Sequence, residues 1–171
     1  MKVLIYMAMS LNGFIADENG EEEFLSHENW QLFCNLAQKY HNFIVGRKTF
    51  DAVSKWSNGY GFDGITGVKK IVISNDPNFK LGNDYICASS PQDALAKLQD
   101  METALVVGGS TLNTSFIKAG LVDQFIINIE PAIVGRGVPI FAPAVFAHKL
   151  QLLSSSISPS GILTLEYKFS K

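Results

Sequence analysis

The sequence predicts a single domain with an α/β fold, in which a mostly parallel central sheet ends in an antiparallel C-terminal hairpin. Two observations predict the fold and a third predicts the single domain. Strand and helix patterns alternate up to about residue 129, as they do where helices connect parallel strands. Only strand patterns follow, and Pro159-Ser160-Gly161 separates the last two, which is typical of a hairpin. The 171 residues are 47% hydrophobic and contain no repeats or linker-like segments, so residues 1–171 are expected to form a single domain.

The first part of the chain predicts one buried strand, one loop and one long helix. Residues 3–9 are apolar enough for a buried strand, and residues 10–13 form a turn out of it. The acidic segment 17–23 predicts a mobile loop. Ser26 is a typical N-cap for the helix that follows. The apolar residues that recur at helical spacing in this helix are Trp30, Phe33, Cys34 and Ala37.

The middle of the chain alternates short strands with short helices. Strands are predicted at residues 43–45, 70–74 and 85–87, and a helical segment at residues 49–55. The glycine-rich segment 58–64 predicts a loop.

The pattern continues to the hairpin. Ser90 and Pro91 open a helix that reaches residue 98, because serine caps helices and proline suits their first position. A strand at 104–107 leads into a helix at 110–118 with Gly120 as its C-cap, and another strand covers 125–129. The hairpin strands are expected at 150–153 and 162–169.

Charge, hydropathy and cysteine spacing limit the kinds of partner and cofactor expected for this chain. The formal net charge is −2, which favours neither nucleic acid nor an anionic membrane as a partner. No apolar stretch reaches the length of a membrane span. Cys34 and Cys87 lack metal or redox spacing, which suits a reducing cytoplasm, and the three histidines are scattered, so no metal is expected.

Two strands end at glycines, and these junctions carry most of the functional information. The apolar run 104–107 ends at Gly108-Gly109 before a helix, where free N–H groups and the helix dipole suit a phosphate. The run 43–45 ends at Gly46, followed by Arg47 and Lys48. Two such junctions on one sheet indicate a dinucleotide lying across strand ends. A plain tight turn at the glycine pair and a solvated helix start at the cations are the alternatives.

Together these segments resemble the dihydrofolate-reductase-like superfamily, and most of all the C-terminal reductase domain of the riboflavin-biosynthesis deaminase/reductase with its stand-alone bacterial relatives. The stretches that carry the resemblance are residues 8–16 (AMSLNGFIA), 45–53 (VGRKTFDAV), 106–124 (VVGGSTLNTSFIKAGLVDQ) and 129–141 (IEPAIVGRGVPIF). The resemblance implies a three-layer α/β/α fold of the dihydrofolate reductase type and NADPH as hydride donor.

The resemblance also assigns residues to the cofactor. Ala8 and Ile15 match positions that flank the nicotinamide, Ser74 matches a position that meets the 2′-phosphate, and segment 17–23 matches a mobile lid. The full set implied to bind NADPH is Ala8, Ile15, Gly46, Arg47, Lys48, Thr49, Ser74, Asn75, Val107, Gly108, Gly109, Ser110, Thr111 and Leu112.

The proton donor is where the sequence departs from its relatives. Dihydrofolate reductases carry a buried carboxylate on the first helix, and here Asn29 fits that position, with Glu28 beside it. Both are candidate catalytic residues, although an asparagine cannot supply a proton as an acid and Glu28 can equally be a solvated first-turn acid. Val107 stands where riboflavin-pathway reductases often place a glutamate.

Four further residues are candidates for binding the substrate. Asn12 replaces the aspartate of the usual Ser-Leu-Asp-Gly motif, and Phe33 lies one helical turn after Asn29, where a ring could stack. Phe50 is another candidate aromatic, and Glu130 ends a strand near the expected cleft. Core packing is the alternative for both phenylalanines, and an exposed loop start is the alternative for the glutamate.

These expectations combine into a function. The chain is expected to be an NADPH-dependent oxidoreductase acting on a small planar heterocycle, such as 5-amino-6-(5-phosphoribosylamino)uracil or a pterin-like compound. Dihydrofolate reduction proper and a nucleotide-binding module without turnover are the alternatives. A homodimer is also expected, from the apolar residues Ile140, Phe141, Val145 and Phe146 in the last third of the chain.

Overall fold

An eight-stranded sheet forms the centre of the molecule in the computed structural model, which describes residues 1–56 and 60–170. The strands in chain order are β1 (Lys2–Ser10), β2 (Phe14–Asp17), β3 (Asn42–Gly46), β4 (Lys69–Ile73), β5 (Tyr85–Ala88), β6 (Thr103–Val106), β7 (Gln124–Glu130), β8 (Gly137–Pro139), β9 (Leu150–Ile157) and β10 (Leu163–Phe169). The helices are α1 (His27–Tyr40), α2 (Arg47–Val53), α3 (Pro91–Ala96) and α4 (Ser110–Lys118), and a 3₁₀ turn covers Phe62–Gly64. Part of the predicted loop 58–64 lies outside the described residues.

The strand order confirms the predicted fold class. The central sheet runs β5-β4-β3-β6-β1-β7-β10-β9. The six strands from β5 to β7 are parallel to their neighbours, whereas β10 is antiparallel to both β7 and β9. The predicted C-terminal hairpin is therefore present, and its first strand extends to Ile157, beyond the predicted end.

Both faces of the sheet are covered, which explains why β1 is apolar almost throughout. Successive side chains of a strand point to opposite faces. Val3 and Ile5 accordingly join the core cluster that contains Phe116 of α4, whereas Leu4 joins the cluster that contains Phe33 and Ala37 of α1. Helices α3 and α4 lie on one face and α1 and α2 on the other, which gives three layers.

The helix ends follow the local sequence. Ser26 caps α1 by accepting a hydrogen bond from the backbone N–H of Asn29, as predicted. Ser90 caps α3 in the same way through Asp93 N–H. Helix α2 begins at Arg47, two residues earlier than predicted, because Gly46 ends β3 and is itself the N-cap.

A second, two-stranded sheet was not predicted. Strands β2 and β8 pair antiparallel, and Ile15 and Ala16 in β2 are buried. A Cβ on Gly137 of β8 would lie 2.1 Å from the carbonyl oxygen of Ala16, so this pairing requires glycine there. Strands of four and three residues are too short to show an alternating pattern.

None of the described helices is long and apolar enough to cross a membrane. Within residues 1–56 and 60–170, no three His, Cys, Asp or Glu side chains are grouped so that they could hold a metal ion.

Candidate functional site

A cavity of about 600 Å³ lies between the central sheet, α1, α2 and the segment that connects β2 to α1. Its floor includes Tyr6, Met7 and Ala8 of β1. Concave sites at the carboxyl ends of parallel strands are the usual ligand sites of open α/β sheets. The cavity is therefore the candidate active site.

The two glycine junctions predicted from the sequence meet at this cavity. The backbone N–H of Gly46 donates a hydrogen bond of 2.8 Å to the carbonyl oxygen of Gly108. Gly108 has a φ of +86°, and the peptide bond between Gly108 and Gly109 is cis. A Cβ on Gly109 would lie 2.7 Å from Oγ1 of Thr49 in α2. Gly109 and Thr49 both line the cavity, so the missing side chain leaves room beside the start of α4.

The first turn of α4 contains polar atoms without partners. Ser110 Oγ and Asn113 Oδ1 are buried and make no hydrogen bond within the described part of the chain. Buried polar atoms are normally satisfied by protein, water or ligand. Free backbone N–H groups at the start of a helix bind phosphate oxygens. The open space at Gly109 and the unsatisfied hydroxyl of Ser110 therefore fit a pyrophosphate.

The predicted 2′-phosphate residues lie around Asp76. Arg47 donates to Asp76 Oδ2 at 2.7 Å and to Asp51 at 3.4 Å, and its guanidinium lies 4.3 Å from the ring centre of Phe79. The hydrogen bond from Arg47 lowers the pKa of Asp76 below its usual range. Ser74 is buried, and its Oγ accepts the backbone N–H of Asp76. Arg47 and Ser74 therefore both bond to Asp76.

The remaining predicted cofactor residues divide into two groups. Those that line the cavity are Ala8, Ile15, Thr49, Val107 and Gly109. Those outside its walls are Gly46, Lys48, Asn75, Gly108, Ser110, Thr111 and Leu112. Among the second group, Leu112 packs in the core, whereas Lys48, Asn75 and Thr111 are exposed.

Asn29 is the centre of a buried polar network at one end of the cavity. Its Nδ2 donates to Oε1 of Glu130 and, at 3.4 Å, to Oγ of Ser26. Its Oδ1 accepts from Nδ2 of Asn128 at 2.6 Å. The hydroxyl of Tyr6 donates to the carbonyl oxygen of Asn29 at 3.1 Å. These bonds fix the orientation of the Asn29 side chain.

The network disfavours proton donation by its own members. Burial, and then the charge of Glu130, raise the pKa of the Tyr6 phenol well above its usual range. The carboxylate of Glu130 is buried and accepts from the backbone N–H of Ser26 at 2.7 Å, behind Asn29 and away from the cavity wall. Oδ1 of Asn128 accepts from Thr164 Oγ1 at 2.7 Å, which ties the network to β10.

Three of the other predicted residues, Glu28, Asn12 and Phe50, do not line the cavity. The carboxylate of Glu28 accepts from Ser158 Oγ at 3.2 Å and Ser160 Oγ at 2.5 Å, in the hairpin turn. Asn12 braces a turn by bonding to the backbone N–H and carbonyl of Val134. Phe50 packs against Phe62, Phe79 and Tyr85. Phe33 does line the cavity.

Several lining residues were missed by the sequence analysis. Glu21, Glu22 and Glu23 of the predicted lid line the cavity. Burial, and then the charge of Glu21, raise the pKa of the Glu22 carboxyl to about 7. The only signal for these residues was the position of segment 17–23 where the relatives have a lid.

Aromatic rings form the wall around Trp30. Its ring centre lies 5.9 Å from that of Trp56, 5.5 Å from that of Tyr60 and 5.4 Å from that of Phe33. Neither Trp56 nor Tyr60 belongs to a helix or a strand, so no periodic pattern marked them. We call Trp30, Trp56 and Tyr60 the aromatic rim.

Curated relatives resemble the chain along most of its length. An uncharacterized protein of Bacillus subtilis (strain 168), YyaP, is 25% identical over 177 residues, which cover 97% of this chain and 94% of that protein. A 2,5-diamino-6-ribosylamino-4(3H)-pyrimidinone 5′-phosphate reductase of Methanothermobacter thermautotrophicus is 25% identical over 170 residues, covering 78% of this chain and 79% of that protein.

Solved structures show the same fold at low identity. RibD of Acinetobacter baumannii superposes with a TM-score of 0.80 at 16% identity, covering 99% of this chain and 58% of that one. A dihydrofolate reductase of Enterococcus faecalis complexed with NADP(H) gives a TM-score of 0.76 at 16% identity, covering 99% and 97% of the two chains. The predicted dihydrofolate-reductase-like fold is therefore confirmed.

The family comparison covers nearly the whole chain. The family described as the RibD C-terminal domain matches residues 1–164. The predicted resemblance rested on four stretches between residues 8 and 141, and the match includes all of them. The chain belongs to the RibD C-terminal domain family.

Proposed function

We propose that this chain is an NADPH-dependent reductase that transfers a hydride to a small planar heterocycle. One observation carries the proposal: a single cavity contains the Gly109 junction on one side and the Asn29 network with aromatic rings on the other. Hydride transfer requires the donor carbon of the cofactor and the acceptor atom of the substrate to be held close together in one site. The reductase named among the relatives and the NADP(H)-bound dihydrofolate reductase structure support it.

The chain's part in binding NADPH follows from the two junctions. The N–H groups at the start of α4 and the Ser110 hydroxyl would hold the pyrophosphate. Arg47 and Ser74 would meet the 2′-phosphate, and Ala8 and Ile15 would flank the nicotinamide. When bound, NADPH supplies the hydride.

The substrate side is built from flat and polar groups. Phe33 offers a ring to stack on, and Tyr6 and Asn29 give the cavity wall beside it a polar surface for the edge of a heterocycle. Asn29 has no acidic proton, and the raised pKa of Tyr6 makes it a poor acid at neutral pH. The lack of a proton donor here argues against dihydrofolate reduction, because dihydrofolate reductases carry a buried carboxylate on this helix.

A substrate panel tests the proposal, with the fall in NADPH absorbance as the readout. The first compound to test is 5-amino-6-(5-phosphoribosylamino)uracil, because the similar Methanothermobacter reductase is named for a related pyrimidine phosphate. Pterins and dihydrofolate complete the panel. We expect oxidation of NADPH with an aminopyrimidine or pterin. Tight NADPH binding without oxidation by any member would instead support a nucleotide-binding module.

Cofactor choice has its own test at Arg47. A charge-assisted contact to the 2′-phosphate is worth about 1.5–3 kcal/mol, or one to two decades of affinity. Arg47→Ala should therefore weaken NADPH far more than NADH in fluorescence titrations. Asp76→Asn removes a carboxylate that competes for Arg47 and should strengthen NADPH binding alone. Equal affinities of the native chain for the two cofactors would contradict the assignment.

We also propose that the chain forms a homodimer, but through a different surface from the one expected. Phe141 and Phe146 pack towards Phe125 and the core, which leaves Val145 exposed. All eight residues of β9 are exposed, and this strand forms one edge of the central sheet. A second copy is the occupant that would cover such an edge symmetrically.

A further inference from the structure

The charge of the cavity wall differs from what a phosphorylated substrate needs. Three acidic residues, Glu21, Glu22 and Glu23, are among those that line the cavity, Glu22 half-buried and the other two exposed. Lys55 is the one lysine or arginine among the lining residues that the structure describes. By sequence, residues 57–59 are Ser, Asn and Gly and bring no charge. We call Glu21, Glu22 and Glu23 the acidic wall.

The arginine and lysine of the second junction do not change this balance. Arg47 and Lys48 are not on the cavity wall, and Arg47 is paired with Asp51 and Asp76. A phosphate on a substrate in this cavity would therefore lie among three glutamates and one lysine. Like charges held close together in a site with little water repel strongly.

The aromatic rim suits a planar ligand instead. The ring centre of Trp30 lies 5.9 Å from that of Trp56 and 5.5 Å from that of Tyr60. His27 Nδ1 is 2.5 Å from the Tyr60 hydroxyl, and the two rings are 5.4 Å apart. Aromatic faces bind flat rings and attract cationic ones, and neighbouring carboxylates add to that attraction.

We propose that the substrate is a planar, uncharged or cationic heterocycle without a phosphate group, and that the acidic wall and the aromatic rim set this preference. The inference rests on the proposed function, because it treats this side of the cavity as the substrate side. It contrasts with the phosphorylated pyrimidines in the names of characterised relatives.

The lid carboxyl adds a dependence on pH. Desolvation of the half-buried Glu22, and then the charge of Glu21, raise the pKa of the Glu22 carboxyl to about 7, so the acidic wall gains charge as the pH rises through neutrality. The titratable or charged groups that share the wall with Glu22 are Glu21, Glu23, His27, Lys55, Tyr6 and Tyr60. The second ionisation of a phosphate monoester, near pH 6, increases its repulsion in the same direction. Discrimination against phosphate should therefore be greater at pH 8 than at pH 6.

Matched ligands give the test. The pair is 5-amino-6-(ribosylamino)uracil and its 5′-phosphate, and a second pair is riboflavin and riboflavin 5′-phosphate. Binding to the NADP⁺-loaded protein is measured by calorimetry at pH 6 and pH 8, together with NADPH oxidation. We expect at least one pair to bind, with the phosphate-free member at least about tenfold tighter at pH 8.

Two kinds of variant separate charge from stacking. The triple variant Glu21→Gln/Glu22→Gln/Glu23→Gln should make the affinities for the phosphorylated and phosphate-free ligands more nearly equal. Glu18 is an exposed residue of the same segment that does not line the cavity, so Glu18→Gln should leave the ratio of the two affinities unchanged. Trp56→Leu should weaken both members by a similar factor. Thermal denaturation shows whether each variant is folded.

The outcomes test the substrate inference and the reductase proposal separately. Equal or tighter binding of the phosphorylated members by the native protein overturns the inference, as does failure of all four compounds to bind. An unchanged ratio in a folded triple variant overturns it as well. Discrimination in binding without NADPH oxidation by any compound would uphold the inference about the ligand and contradict the reductase proposal.

Discussion

Glu22 is a carboxyl group that the fold keeps in an unfavourable place. Its pKa rises from 4.5 to about 7, so the folded state holds a proton that the unfolded state has released between those pH values. The penalty is therefore absent below about pH 4.5 and complete above pH 7. A fully enclosed group would lose about 3 kcal/mol, and contact with the open cavity reduces this to about 1–2 kcal/mol.

Glu22→Gln should remove this penalty. We expect the variant to match the native protein at pH 4.5 and to melt about 2–6 °C higher at pH 8, because its amide has no charge to desolvate. Thermal denaturation followed by circular dichroism across this range measures the difference. Glu18→Gln, on an exposed residue of the same segment, should show no such trend. A pH-independent difference for Glu22→Gln would contradict the burial of its charge.

Asn29 matters because its amide donates to a buried carboxylate. In Asn29→Asp the donor would become an acceptor beside Glu130, and two adjacent carboxyl groups retain a shared proton to high pH. We expect negligible dihydrofolate reduction by the native chain. The variant should gain such activity below the apparent pKa of the pair and lose about 2–4 kcal/mol of stability above it.

The measurements are dihydrofolate-dependent NADPH oxidation and the thermal midpoint from pH 5.5 to 8. Asn29→Ala is the matched control, since it removes the donor without adding an acid. Robust dihydrofolate reduction by the native protein that survives Asn29→Ala would contradict the idea, and the proton would then reach the substrate by another route.

At the scale of elements, the junction of β6 and α4 makes the most specific demand on the sequence. Gly109 has an ordinary φ of −83°, so backbone strain does not explain this glycine. The positive φ belongs to Gly108. What Gly109 provides is space, because its Cβ would lie 2.7 Å from Thr49 Oγ1 and beside the start of α4.

Gly109→Ala should therefore cost about 1–3 kcal/mol of stability and weaken NADPH binding. Adding Thr49→Ala should restore stability to that of Thr49→Ala alone, because the obstructing hydroxyl is gone. NADPH binding should stay weaker than in Thr49→Ala, since the new methyl group still occupies the space at the helix start. Thermal denaturation and NADPH fluorescence titration measure the two effects.

Gly82→Ala is the control for a glycine in open space. If the double variant bound NADPH as well as Thr49→Ala does, Gly109 would be only a turn residue.

The elements also show how far sequence reasoning reaches. Ser26, the glycine pair and the long parallel strands follow local rules of capping, turns and periodicity, so they could be predicted. Asn29 was found by its position relative to a known family. Asn128 interrupts the apolar strand β7, yet only the tertiary fold shows that it bonds Asn29 and Tyr6. The rim residues Trp56 and Tyr60 lie outside the helices and strands, so no periodic pattern could mark them.

At the scale of the whole molecule, the hairpin and the cavity are connected. Thr164 of β10 donates to Asn128, which in turn donates to Asn29 at the cavity wall. Glu28 at the start of α1 accepts from Ser158 and Ser160 in the hairpin turn. The position of β10 therefore influences the polar end of the site, and β9 lies one strand further out.

The exposed surface of β9 leads to the last prediction. Leu150, Leu152, Leu153 and Ile157 are 40%, 50%, 42% and 75% exposed, which is unusual for four large apolar side chains on one edge strand. Antiparallel pairing of β9 with the same strand of a second copy would cover them and continue the sheet.

Light scattering at micromolar concentration should then give twice the 18.8 kDa of one chain. Leu152→Lys/Ile157→Lys should give a folded monomer. In a dimer, each copy would have to bury two ammonium groups at the interface, opposite the same two groups of its partner. Val145→Lys, an equally polar change at a fully exposed residue outside β9, should leave the mass unchanged. A monomeric native protein would contradict the dimer, and a monomeric Val145→Lys variant would return the interface to the segment around residue 145.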